Sequence, residues 1–387
     1  MSATPTTRPA HEIRERFGFW RRSYAMVTKE FIQFKRDRLS FAIFFLIPLI
    51  QLFLLGYAIN TTPRHLPTAV LLQEDSDLGR SILKALENTS YFKFVRQVHD
   101  IGELDNLVKS GHVLFGVEIP RGFERAVRRG DRPTLLVAAD ATDPIAANAA
   151  LGSLGQIVQT ALQHDRYAGD PPSLPFEIRV HARYNPAAVS QLNIVPGLVG
   201  TILTMTLLIF TALSVTREIE RGTMESLLSM PIKPIEVMFG KIIPYVFVGF
   251  LQASLTVTFG VSVFGVPVIG SLTTLALLTT LFIAANLSIG YTFSTIAQNQ
   301  LQAMQMSMLF ILPSILLSGF MFPFLGMPVW AQYIGEVLPL THYVRIIRAI
   351  MLKGATIENL RYDTLALAAL MLLAMTIAVT RFRRTLD

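Results

Sequence analysis

The run from Ile242 to Gly335 reads IIPYVFVGFLQASLTVTFGVSVFGVPVIGSLTTLALLTTLFIAANLSIGYTFSTIAQNQLQAMQMSMLFILPSILLSGFMFPFLGMPVWAQYIG, and it contains no Asp, Glu, Lys, Arg or His. A transmembrane helix needs roughly 20 apolar residues, so a run of this length holds three. Turn residues divide it at Gly265-Val266-Pro267 and at Gln298-Asn299-Gln300, which places spans at about 242–264, 271–296 and 303–325. Three more uncharged segments lie outside it. Leu39–Pro63 gives an early span, Asn185–Thr216 another, best placed at 192–215, and Thr364–Thr380 a short sixth. A soluble core does not hide six such segments, so the fold class is an α-helical polytopic membrane protein with six transmembrane helices. The early span follows a long basic stretch and no small-residue cleavage motif follows it, so it reads as a retained anchor and not a signal peptide.

The chain is 51% hydrophobic and 16% charged, yet carries a formal charge of +7. That composition excludes a disordered chain, which needs low hydrophobicity and high charge. The absence of cysteine excludes a disulfide scaffold, a thiolate zinc site and a cysteine nucleophile. A basic excess can mark a nucleic-acid binder, but here it flanks the spans. Residues 1–38 carry nine Lys and Arg against four Asp and Glu, whereas residues 60–191 carry 14 against 15. Basic residues near span ends stay in the cytoplasm. Both termini and the loop 217–241 are therefore expected inside, with residues 60–191 and 326–362 outside, and no role in nucleic-acid binding is expected.

Four regions lie outside the spans. In residues 1–38, Ile13, Phe17, Trp20, Tyr24, Val27, Phe31 and Phe34 alternate spacings of four and three, which is one apolar face of a helix. With basic residues off that stripe, it either lies in the cytoplasmic interface or packs on a partner. Residues 61–191 read as an α/β domain inserted between helices 1 and 2. Its strands are expected at Thr68–Leu72, Val113–Ile119 and Thr134–Ala139, and a helix from Asp143 to about 166. Its histidines are scattered without metal-ligand spacing, so no metal site and no catalytic residue is assigned. The loop 217–241 mixes charge with Leu227, Leu228 and Met230, which suits docking on another protein. In the outward region, Pro and Gly break long helices, yet Val329–Leu338 and Thr341–Leu352 keep helical patterning. There His342, Arg345 and Arg348 follow a three-residue spacing, and Arg345 and Arg348 are expected at headgroup level.

No GxxxxGK[ST] phosphate loop occurs, so the chain is not expected to hydrolyse ATP by that mechanism. Spans three to five hold no ionisable residue, which argues against proton or sodium coupling. If the chain transports anything, the motor is a separate subunit docked on the cytoplasmic side.

The segment from Glu218 to Pro231, EIERGTMESLLSMP, continuing to Gly240-Lys241, resembles the signature loop of the ABC-2 type permease family. Ile119-Pro-Arg-Gly-Phe123 with Asp140-Ala-Thr-Asp143 is similar to the external domain of that family's bacterial exporters. Ser318-Gly-Phe-Met-Phe-Pro323, Leu338-Pro-Leu-Thr-His342, Arg345, Arg348 and Leu352-Lys-Gly354 resemble its pattern around the last two spans. The resemblance implies a membrane subunit paired with a second permease subunit, a copy or a paralogue, above two ATPase subunits that hold ATP and Mg. This chain would itself bind no cofactor. It implies coupling to the ATPase through Glu218, Arg221, Gly222, Thr223, Glu225, Pro231 and Lys241, a connecting helix within residues 1–38, and an outer gate or interface at Phe320, Pro323, His342, Arg345 and Arg348. A periplasmic adaptor is a further candidate partner, and the bacterial inner membrane the expected location.

The main polar groups of spans two to four are Asn193, Thr201, Thr204, Gln252, Thr256 and Asn286. They either line a translocation path or act as glue between helices. A path this poor in charge suits hydrophobic or amphiphilic cargo, drug-like or lipid-like. The competing readings are a membrane-anchored receptor or assembly protein whose external domain binds a partner, and a secondary transporter.

Overall fold

In the computed structural model the described residues are 64–142, 175–222 and 234–384, with Ala147, Ala150–Gly152 and Leu154. The stripe from Ile13 to Phe34, the span at 39–60 and most of the helix expected from Asp143 lie outside them.

Alternation of buried and open side chains builds a sheet from β1 (Leu66–Leu72), β2 (Phe92–Val98), β3 (Phe115–Ile119), β4 (Thr134–Asp140) and β5 (Glu177–Arg183). The strand order is β2-β1-β3-β4-β5, parallel except between β3 and β4. Helices α1 (Asp77–Asn88), α2 (Ile101–Lys109) and α3 (Phe123–Arg129) connect them. Each start or stop has a local cause. The Ser76 hydroxyl accepts from the Gly79 amide and the Asp100 carboxylate from the Gly102 amide, while Gly130 ends α3 in the left-handed region. Period two puts Phe115, Val117 and Ile119 on one face with Leu78, Ile82, Leu86 and Phe123. The other face buries Ala69, Leu71 and Val98 under Leu104 and Val108 of α2. Gly116 points at α2, where an added Cβ would lie 2.7 Å from a Leu104 methyl.

Sequence patterning did not anticipate β2 and β5. Both are edge strands, and most of their residues stay open or half-buried, so the apolar alternation that marks a strand is weak.

The register brings Asp140 opposite Arg183, with the last turn of α2 at the same end of the sheet. From there the chain enters α4 (Ser190–Glu220) through a turn in which the Asn185 side chain holds both the amide and the carbonyl of Val189. Then follow α5 (Pro234–Ser262), α6 (Leu272–Ile296), α7 (Gln300–Leu317), a 3-10 turn at Phe324–Gly326, α8 (Val329–Glu336), α9 (Pro339–Lys353) and α10 (Arg361–Arg384). Among the described residues five helices are long and apolar enough to cross a membrane, within α4, α5, α6, α7 and α10.

One span boundary is corrected. The expected span 303–325 is a helix over Gln300–Leu317. Asn299 caps it early by accepting from the Gln302 amide at 2.8 Å. Gly319, at φ +79°, turns the chain just past its end, so residues 318–325 are not part of the helix.

Lipid supplies no hydrophobic force between spanning helices, so close approach relies on small residues. A Cβ at Gly290 of α6 would lie 2.8 Å from the Leu208 carbonyl oxygen of α4. One at Gly200 would meet Leu340 and Tyr343 at 2.8 and 2.9 Å. Tyr343 stacks on Phe282 with centroids 4.0 Å apart, and its hydroxyl meets the Thr279 hydroxyl at 2.9 Å. Phe247, Leu251 and Phe259 of α5, and Leu365, Leu372 and Leu373 of α10, leave apolar surface exposed.

Candidate functional site

Helix α9 organises the end of the helical part that meets the sheet. Pro339 sits in its first turn, and its apolar residues Leu340, Tyr343, Val344, Ile346, Ile347 and Ile350 are buried. Its polar side chains therefore reach protein partners. The Thr341 hydroxyl donates to the Gly335 carbonyl at 2.6 Å, at the end of α8. His342 lies with Nε2 2.9 Å from the Glu336 carbonyl oxygen and Nδ1 2.8 Å from Asp363 Oδ1 on α10. Both neighbours can accept a hydrogen bond from the ring.

One turn on, Arg345 donates to Glu336 Oε1 at 2.6 Å and to Asp363 Oδ1 at 3.2 Å. Its guanidinium lies 4.3 Å from the Phe324 ring centroid. Burial works to lower the pKa of Arg345, but the Asp363 and Glu336 carboxylates outweigh it and raise the pKa above its ordinary value. Arg348 donates to three carbonyls, those of Asn193 at 3.3 Å, Gly319 at 2.9 Å and Phe320 at 3.2 Å. It thereby ties the outer end of α4 to the turn after α7. Arg345 and Arg348, expected at headgroup level, are thus both engaged by partners within the protein. Phe320 fills the space beside Gly197, where a Cβ would lie 2.3 Å from the ring, and Pro323 leads into the 3-10 turn. Glu336 and Asp363 were not singled out from sequence, and Lys353 only within the Leu352-Lys-Gly354 pattern; the signal of the two carboxylates is charge close to apolar helices.

A cavity of about 310 Å³ opens between these helices and the sheet. Arg345, Arg348, Lys353, Glu336, Asp363 and Asp140 all line it.

At the opposite end of α4, Gly222 has φ +66°, a bend that favours glycine. Glu218 and Arg221 lie beside it. Thr223, Glu225 and Pro231 lie outside the described residues, and of Lys241 only its place in α5 is described. The Glu220 carboxylate accepts from the Gln300 backbone amide at 2.7 Å and from its side-chain amide. These bonds hold the Glu220 pKa below the usual carboxylate value.

The span polar residues divide into two groups. Thr201, Thr256 and Asn286 donate to carbonyls one turn back on their own helices. Gln252 crosses from α5 to α4, donating to Thr206 at 3.0 Å. Asn193 Oδ1, Thr204 Oγ1 and Gln252 Oε1 are buried without a hydrogen-bond partner among the described residues. Asn193 and Thr204 are 11 residues apart, about 16 Å along α4 at 1.5 Å per residue, so they do not form one cluster.

Comparison with known proteins fixes the family. The profile of the ABC-2 family transporter proteins matches residues 38–380. The chain belongs to that family. It is 34% identical over 372 residues to the "Probable multidrug ABC transporter permease YbhS" of Escherichia coli K12, covering 95% of this chain and 98% of the relative. It is 31% identical over 330 residues to the "Inner membrane transport permease YhhJ" of the same organism, covering 83% and 86%. The "Probable multidrug ABC transporter permease YbhR" is 27% identical over 337 residues, covering 87% and 91%. No solved structure matches the chain. As an ABC-2 permease the chain is a multi-pass membrane protein and a permease subunit of an ABC transporter.

Proposed function

We propose that this permease exports hydrophobic or amphiphilic cargo from the cytoplasm or inner leaflet, driven by a separate ATPase. The match to the ABC-2 family over residues 38–380, with multidrug permeases among the relatives, carries the reading. The chain then holds residues 1–38 as a cytoplasmic connecting helix, helix 1 at 39–60, an external α/β domain at 61–191 and helices 2–6 at 192–387. Both termini face the cytoplasm of a bacterial inner membrane. Glu218, Arg221, Gly222, Thr223, Glu225, Pro231 and Lys241 engage the ATPase, whose own site holds ATP and Mg. A second permease subunit completes the pore, with a periplasmic adaptor as a further partner. Asn193, Thr204 and Gln252 are path positions, because each keeps a buried acceptor that passing water or cargo can use. His342, Arg345 and Arg348 hold the outer gate closed around Phe320 and Pro323.

The full chain is reconstituted with an ATP-binding-cassette ATPase in proteoliposomes, and ATP-dependent movement of ethidium, an amphiphilic cation, is followed. Wild type stimulates the ATPase and moves the dye; Glu225→Arg and Gly222→Pro lose both. Unchanged assembly and stimulation in both variants would refute the coupling assignment.

A further inference from the structure

The last turn of α9 is a junction between three parts of the molecule. Its free carbonyls are taken by the turn between α5 and α6, where the Ile269 amide donates to the Met351 carbonyl at 2.9 Å and the Gly270 amide to that of Ile350 at 3.0 Å. At Gly270 a Cβ would lie 2.6 Å from the Ile350 oxygen, so only glycine lets these segments close. The third part is the external sheet, reached by the Lys353 side chain.

Lys353 closes α9, and Gly354 at φ +59° turns the chain away immediately after it. Its ammonium pairs with Asp140 Oδ2, donates to the Val108 carbonyl at the end of α2 at 3.4 Å, and lies 5.5 Å from the Tyr184 ring. Both side chains are almost closed to solvent, at 7% and 3% exposure. The sheet has already aimed the carboxylate. Asp140 Oδ1 accepts from the Thr142 amide at 3.1 Å and its hydroxyl at 2.7 Å, leaving Oδ2 for a partner. The Tyr184 phenol, raised above its usual pKa by burial and by Asp140, stays neutral beside the pair. Two charges buried this far from water do not slide apart gradually, because a partial separation leaves both desolvated and unpaired. The contact is therefore either engaged or released.

We infer that Lys353 is a positioning residue that pins the external sheet to the last turn of α9, so that the sheet, α9 and the turn between α5 and α6 move as one body. Under the export reading, on which the functional meaning of this pin rests, motion of the outer membrane helices carries the external domain with it.

The chain has no cysteine, so two spin labels placed by substitution meet no background. Exposed Lys84 on α1 and exposed Phe264, just after α5, become Lys84→Cys and Phe264→Cys in the full chain in nanodiscs. The wild-type pin gives one narrow distance distribution, and Lys353→Arg, which keeps the cation, leaves it narrow. Lys353→Met broadens it and lowers the thermal midpoint by stranding Asp140. The double variant Lys353→Met with Asp140→Asn removes both charges and keeps the oxygen that Thr142 uses, so the midpoint recovers while the distribution stays broad. A narrow distribution in the double variant would overturn the pin and leave the ion pair a purely stabilising contact. The distances need neither ATPase nor cargo. In proteoliposomes with the ATPase, the double variant loses ethidium movement per ATP hydrolysed while hydrolysis persists. A wild type that fails to move ethidium counts against the export reading, and the distances still judge the pin.

Discussion

Asp363→Asn removes one charge from the outer layer while keeping the side chain's shape. The carboxylate, only 13% exposed, receives Nδ1 of His342 at 2.8 Å and Arg345 at 3.2 Å on the same oxygen. Breaking a buried ion pair costs about 3–5 kcal/mol, and a hydrogen bond to a charged group contributes about 1.5–3 kcal/mol. Arg345 is 29% exposed and keeps Glu336 at 2.6 Å, which offsets part of the loss. The expected cost is therefore about 2–3 kcal/mol. It is read from denaturant unfolding of the full chain in nanodiscs. The cycle with Arg345→Met separates the pair from the rest of each substitution. Arg345→Met alone strands Glu336 and leaves Asp363 with His342 only, so adding Asp363→Asn relieves part of its cost, and a coupling of about 1–2 kcal/mol is expected. Wild-type stability in Asp363→Asn, or additive effects in the double variant, would refute the assignment of this layer as a coupled network.

Other substitutions probe separate levels of the fold. Tyr343→Phe and Thr279→Val each break the hydroxyl contact that accompanies the Phe282 stack, with a loss of about 1 kcal/mol, and the pair together loses less than the sum, measured by unfolding. Gly116→Val drives a side chain into Leu104 and destabilises the five-stranded sheet by about 1–3 kcal/mol, seen as faster limited proteolysis, and Leu104→Ala restores part of it. Glu220→Ala frees the Gln300 amide, whose hydrogen exchange rises several-fold with little change in global stability. Because the Glu220 pKa is lowered, that protection is present at neutral pH and is lost as pH falls through the lowered value. Protection at Gln300 that persists in acid or in Glu220→Ala would mean that this contact is not what holds the amide.

The membrane architecture was legible because lipid imposes a rule on every residue of a span. A charge is costly there whatever its neighbours, so the empty stretch from Ile242 to Gly335 announces helices without reference to tertiary contacts. The helix ends were less legible, since they are set by single side chains. Asn299 and Gly319, not the apolar run, decide where α7 begins and stops. The edge strands β2 and β5 escaped notice for a related reason, because a strand with one open face keeps little of the alternation that advertises burial.

The outer site was half legible. His342, Arg345 and Arg348 stand out by their spacing on one helix, and that spacing shows what α9 carries but not what it meets. The carboxylate that His342 and Arg345 share is 21 residues from His342, and that of Lys353 is 213 residues away in another layer of the fold. A lone cation beside a membrane reads as a headgroup anchor, since a pattern along one helix cannot reveal a partner brought in from elsewhere in the chain. Lys353 is held differently, by burial. A cation that is 7% exposed next to an aspartate 3% exposed gains little from headgroups and loses much without its partner. Polar side chains on α9 thus serve to fix neighbouring elements: α8 and α10 through His342 and Arg345, the ends of α4 and α7 through Arg348, and the sheet through Lys353. A helix whose last turn also holds the turn between α5 and α6 cannot shift without taking these contacts with it or breaking them one at a time, and that constraint is what makes α9 the element on which substitutions around it should act together.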